Sequence, residues 1–141
     1  MTVYADTSFL VSLYVPDRHS AEAERRLRAR PLVWFTPLHR AEWTHAIYQH
    51  IFHRKMSVGE ARHVLRTLEG DLAQGLWLQS AMPDDAFENC VELAGQYCAR
   101  LGVRTLDSLH VASALELKAE RFWTFDERQA KLAHLAGLKT V

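Results

Sequence analysis

Asp6, Glu42, Asp107 and Asp126 are scattered over a 141-residue chain, yet each falls where an apolar run gives way to helical periodicity or where a helix begins. Four carboxylates drawn into one small volume would repel one another unless a cation lay between them, and hard oxygen donors of this kind suit Mg²⁺ or Mn²⁺ rather than a soft metal. The chemistry outlined is that of a metal-activated water. Asp6 closes the run Thr2-Val3-Tyr4-Ala5 and Asp126 closes Arg121-Phe122-Trp123-Thr124-Phe125. Both therefore stand at the C-terminal tips of expected strands, where open α/β sheets bind ligands. Glu42 and Asp107 lie in or just before the first turn of expected helices. Each acid also has a plainer use. Asp6, Asp107 and Asp126 are placed to cap helices, and Glu42 to be a solvated acid near a helix start. Capping does not require several acids to face one end of a sheet, and a cap can also be a ligand.

The elements that would position these residues alternate along the chain. Strands are expected at 2–5, 32–35, 76–78, 121–125 and 138–141. Between them lie helices at 7–14, stopped by Pro16, at 21–30 with Ser20 as N-cap, and at 38–55 with Trp43, Ile47 and Ile51 on one face. Further helices follow from the Ser57-x-x-Glu60 capping box to about Leu72, from Pro83 to about Leu101 with Gly102 ending it, over 106–118, and over 127–135. Strands separated by helical crossovers imply a parallel sheet covered on both faces, an α/β fold of three layers in a single domain spanning 1–141.

Composition sets the bounds. With 17 basic and 17 acidic residues the net charge is zero, so any nucleic-acid contact must come from local clustering. Cys90 and Cys98 fall eight apart on one expected helix, about 12 Å along its axis. That is beyond disulfide reach, and free thiols suit a reducing cytosol. No signal-peptide pattern opens the sequence, and no apolar run approaches the ~20 residues of a membrane span, so a cytoplasmic protein is expected.

Taken together, Ala5-Asp6-Thr7-Ser8-Phe9-Leu10, Ala41-Glu42-Trp43, Leu106-Asp107-Ser108-Leu109-His110-Val111-Ala112-Ser113-Ala114-Leu115 and Thr124-Phe125-Asp126 resemble, in order and spacing, the PIN-domain ribonucleases. Within that family they are most similar to VapC-type toxins of toxin–antitoxin pairs. The resemblance covers essentially the whole chain. It implies a parallel sheet of about five strands between helical layers and Mg²⁺- or Mn²⁺-dependent endonucleolytic cleavage of RNA. It also implies Asp6, Glu42, Asp107 and Asp126 as the acidic quartet, Ser8 as a hydroxyl supporting Asp6, a homodimer, and an antitoxin whose tail covers the acidic crevice.

Physical reasoning supports such residues independently. A phosphodiester is anionic and repels hydroxide, so a divalent cation must neutralise it, activate water and stabilise the leaving oxygen. Asp6 and Asp107 are the choice for principal ligands, Glu42 for holding or deprotonating a water, and Asp126 for the outer shell or a second ion. RNA could be gripped by Arg54 and Lys55 with Arg62 and Arg66, or by the run Arg25 to Arg30, although charge runs are usually solvated helix faces. Three other readings compete. A di-iron bundle is suggested by Glu42-x-x-His45, Glu60-x-x-His63 and Asp107-x-x-His110. Eight histidines among 17 acids should give about one such match by chance, and the strand-like runs oppose a bundle. A receiver-type phospho-acceptor domain would need a lysine after the last strands, which the Phe125-Asp126-Glu127 tip lacks. A nuclease-like fold kept only as a binding module would not need the complete quartet.

Overall fold

The computed structural model describes residues 1–140, and its strands are short, with Thr2–Ala5 and Arg121–Trp123 the most buried. Four strands, β1 (Thr2–Ala5), β2 (Leu32–Phe35), β3 (Leu78–Gln79) and β4 (Arg121–Trp123), form one sheet in the order β3-β2-β1-β4. All pairings are parallel, with Val3 opposite Val33 and Arg121. Lys139 adds an isolated parallel bridge to Arg121 on the far side of β4. The expected fifth strand is thus reduced to one bridge, and Val141 lies outside the described residues.

Alternation along β1 divides the core in two. Val3 and Ala5 pack with Phe9, Trp43, Ile47 and Leu68, from α1 (Thr7–Tyr14), α3 (Pro37–Phe52) and α4 (Val58–Ala73). Tyr4 packs with Leu93, Leu109, Phe122 and Leu132, the helical members coming from α5 (Ala86–Leu93), α7 (Thr105–Glu116) and α8 (Glu127–Leu135). Each fully buried Leu, Ile or Phe contributes about 1.5–3 kcal/mol, and this two-sided burial holds the three layers together. Trp43 and Trp77 both belong to the core.

Several boundaries differ from expectation. The helix expected at 21–30 is α2 (Ser20–Leu27), because the Ser20 hydroxyl accepts the Asp17 N–H at 2.9 Å and His19 takes the N-cap position. Its early end is followed by Arg30 at φ 51°, which turns the chain toward β2. The strand expected at 76–78 moves on to β3 because Leu76 N–H still bonds to Asp71 O at the end of α4, at 3.0 Å. α5 passes through a π-helical turn, Ala94–Cys98, into α6 (Ala99–Leu101), and Gly102 ends it at φ 65°. β4 ends at Trp123, two residues short of the expected 125, and the Thr124 hydroxyl beyond it donates to Asp6 Oδ2 at 2.9 Å.

Candidate metal centre

The order β3-β2-β1-β4 reverses direction between β1 and β4, and ligands of parallel sheets bind outside the carboxyl ends of the strands at such a switch point. Asp6 follows β1 there and Thr124 to Asp126 follow β4. Asp6 N–H donates to Trp123 O at 3.0 Å, which sets the two tips side by side.

Asp6 is the N-cap of α1, 7% exposed, and takes three donors. Phe9 N–H reaches Oδ1 at 2.9 Å, and the Ser8 and Thr124 hydroxyls reach Oδ2, each at 2.9 Å. Burial raises the proton affinity of this carboxyl above the ordinary range despite those donors. All three donors are uncharged, so the buried anion lacks a cation of its own in contact with it. The Thr124 hydroxyl also accepts Asp126 N–H at 3.0 Å. Asp126 caps α8 by accepting Gln129 N–H at 2.9 Å, and the Gln129 amide donates to Asp107 O at 3.3 Å. A continuous hydrogen-bonded chain therefore joins Asp6, Thr124, Asp126, Gln129 and the first turn of α7.

Asp107 is not an N-cap. It occupies the third position of α7, and its Oδ2 accepts from Arg104 N–H at 3.4 Å and from Arg104 Nε at 3.2 Å. Glu42 sits in the second turn of α3, half-buried. Burial works to raise its proton affinity, but His110 and Thr7 overcome this and hold the carboxyl below its ordinary range. The Thr7 hydroxyl donates to Glu42 Oε1 at 2.8 Å, and His110 Nε2 bonds the same oxygen. His110 Nδ1 shares a hydrogen bond of 2.8 Å with the Tyr4 hydroxyl, which burial keeps un-ionised well past its usual range.

His110, which the sequence offered only in a chance acid-x-x-His match, bonds across to Tyr4 and Glu42 on other elements. A histidine inside the wholly buried run Ser108 to Ala114 must find polar partners, and so must Tyr4 in an otherwise apolar strand. That pairing was the available signal. His110 turns to Glu42, whereas Asp107 turns to Arg104, so the acid-x-x-His spacing between Asp107 and His110 holds no shared ligand. A second buried imidazole, His39, accepts Thr36 N–H at Nδ1 (3.0 Å) and donates from Nε2 to Ala5 O at 2.7 Å. It ties the residue before Asp6 to the start of α3.

Two cavities open beside this network. One, of about 630 Å³, is lined by Ser8, Val11, Leu38, Glu42, Ala46 and Leu106 among others. The other, of about 600 Å³, is lined by Arg18, Arg104, Asp107, Asp126, Glu127 and Arg128 among others. The first turn of α7 lies between them, with Leu106 on one side and Asp107 on the other. Ser8 and Thr124 connect Asp6 to both flanks. The donor set fits a hard divalent cation in chemistry: four carboxylates, one of them buried without a contacting cation. Among the described residues no three acids or imidazoles already surround one point, since Glu42 and Asp107 are engaged by His110 and Arg104. Arg54, Lys55, Arg62 and Arg66 are exposed; Arg54 and Lys55 follow the far end of α3, about 15 Å along its axis from Glu42, whereas Arg62 and Arg66 are on α4, which runs back along α3 as the Arg40–Glu69 ion pair shows. Among the described residues no helix is long and apolar enough to cross a membrane.

Comparison with known proteins follows the same outline. No curated protein matches the sequence. VapC20 of Mycobacterium tuberculosis, a sarcin–ricin loop cleaving toxin, shares the fold with a TM-score of 0.67 at 18% identity, over 99% of this chain and 98% of that one. VapBC2 from Rickettsia felis, solved with a fragment of promoter DNA, gives 0.66 at 15% identity over 100% and 98%. FitAcB from Neisseria gonorrhoeae gives 0.72 at 14% identity over 98% and 95%. The PIN domain family model matches residues 3–135, so the chain belongs to the PIN domain family.

Proposed function

We propose that this chain is a divalent-metal-dependent endoribonuclease, and the toxin of a toxin–antitoxin pair. The observation that carries the reading is Asp6: a buried carboxylate at the sheet's switch point, held by uncharged donors and linked through Thr124 to Asp126 and the first turn of α7 that bears Asp107. Asp6 and Asp107 would hold Mg²⁺ or Mn²⁺, with Asp126 at the outer edge. The bound cation supplies charge neutralisation at the phosphodiester and a more acidic water. Ser8 orients Asp6. Glu42, held by His110 and Thr7 with its proton affinity lowered, would accept a proton from the attacking water.

The likeness to toxins solved with their partners, and the mostly apolar cavity beside Glu42, support an antitoxin whose tail lies in that cavity. A homodimer belongs to the same reading, with the exposed Tyr48, Phe52 and Val58 as the surface to be covered. Arg54, Lys55, Arg62 and Arg66 are assigned to RNA that extends beyond the acidic crevice.

Purified protein incubated with mixed single-stranded and hairpin RNA should cut it in Mg²⁺ or Mn²⁺ and stop in EDTA. Unaltered cleavage in excess chelator would overturn the metal mechanism. Folded protein that leaves RNA intact in both metals would make the chain a binding module.

A further inference from the structure

Three arginines from three separate elements line one cavity together with Asp107, Asp126 and Glu127: Arg18 from the α1–α2 turn, Arg104 from the N-cap of α7, and Arg128 from α8. All three are exposed, and none belongs to the core. Arg18 Nε donates to His19 Nε2 at 3.2 Å, and the His19 ring stacks on Phe125 at 4.2 Å, which steadies that side of the cavity. An Arg128 Nη lies 3.8 Å from where a Cβ on Gly102 would stand, so the tight turn ending α6 leaves room for it. Arg104 is held by Asp107, and it also feels the charges of Asp126 and Glu42.

A solvated surface arginine needs no explanation, and the Arg104–Asp107 pair, with the arginine side chain 83% exposed, contributes little to stability. Convergence on one cavity is different. Arginines and carboxylates around one cavity suit a polyanionic strand lying over a cation, because each guanidinium can take a phosphate oxygen while Asp107 and Asp126 hold the metal.

We propose that Arg18, Arg104 and Arg128 grip backbone phosphates of the RNA strand entering this cavity, and that Arg104 exchanges Asp107 for a phosphate when Asp107 takes up the cation. This rests on the nuclease reading above. It gives Arg104 opposite effects on the two ligands: it competes with the metal for Asp107 and favours the RNA.

The test is a set of single variants, R18Q, R104Q and R128Q, with melting curves confirming that each folds. Cleavage of a labelled mixed-sequence RNA in Mg²⁺ is followed across a potassium chloride series, and Mn²⁺ alone is titrated without RNA. KM should rise several-fold in each variant, by more than kcat falls. The slope of log kcat/KM against log salt should flatten by ~0.7 per arginine removed. R104Q should bind Mn²⁺ several-fold more tightly than the wild type, with R18Q and R128Q unchanged. Unchanged salt slopes in variants of a wild type that cuts RNA, or an R104Q that binds Mn²⁺ no more tightly, would overturn the arginine assignment and leave the nuclease reading standing. A wild type that cuts no RNA would take down both.

Discussion

A carboxylate surrounded by hydroxyls and an amide, as Asp6 is, keeps its charge at a cost that a cation would offset. Its proton affinity is raised, so ionisation at neutral pH works against the folded state, and that cost is relieved as pH falls through the raised value. Asp6→Asn should therefore leave metal-free stability unchanged or raise it by ~1 kcal/mol, while abolishing stabilisation by Mn²⁺. Asp107→Ala should behave oppositely in EDTA and lose up to ~1 kcal/mol, because the Asp107 carboxylate accepts the Arg104 N–H and lies in the first turn of α7, while its exposed ion pair adds little. Melting curves of both variants with and without Mn²⁺ check this contrast. Tyr4→Phe would strip the buried His110 Nδ1 of its partner and should cost 1–3 kcal/mol in urea unfolding. A cost near zero would mean that His110 is held by Glu42 and Thr7 alone.

Elements were legible where one physical signal dominated. β1, β2, α1 and α8 match their expected ranges because apolar runs, caps and periodicity agree there. Disagreement came where tertiary contacts chose between equivalent local solutions. Ser20 could cap or lie inside its helix, and the Asp17 turn decided it. Trp77 could begin a strand, but its indole N–H is drawn to the Tyr14 hydroxyl at 2.9 Å as the chain leaves α4. The π-helical turn before Gly102 leaves no mark in the apolar spacing. Gly102 itself was readable as a helix end. Its φ of 65° makes Gly102→Ala unfavourable by roughly 1 kcal/mol through backbone strain, since the nearest atom to a new Cβ is at ordinary contact distance. A loss well above that, measured by denaturant unfolding, would point to a clash with Arg128 instead.

Over the whole molecule, the site is the meeting point of segments far apart in sequence, and His39 is one of the ties. Burial, and then the nearby His110, lower its proton affinity to about 3 from an ordinary 6.5. The unfolded chain then binds the proton more readily, so stability rises with pH between those values and is lost on acidification. Unfolding free energy should fall by about 2–3 kcal/mol from pH 6.5 to 4.5, with part of that slope removed in His39→Gln. The His39 ring should stay neutral by NMR at pH 5. The strand tips that carry Asp6 and Asp126 were legible from the sequence, whereas the Tyr4–His110–Glu42 partnership was not, because packing of α7 against β1 and α3 selects it. The central claim is that these acids form one metal site, and Mn²⁺ binding to wild type, Asp6→Asn and Asp107→Asn measures it most directly. Saturable binding in the wild type that is lost or greatly weakened in both variants is the outcome the account requires; an Asp107→Asn protein that binds Mn²⁺ as the wild type does would contradict it.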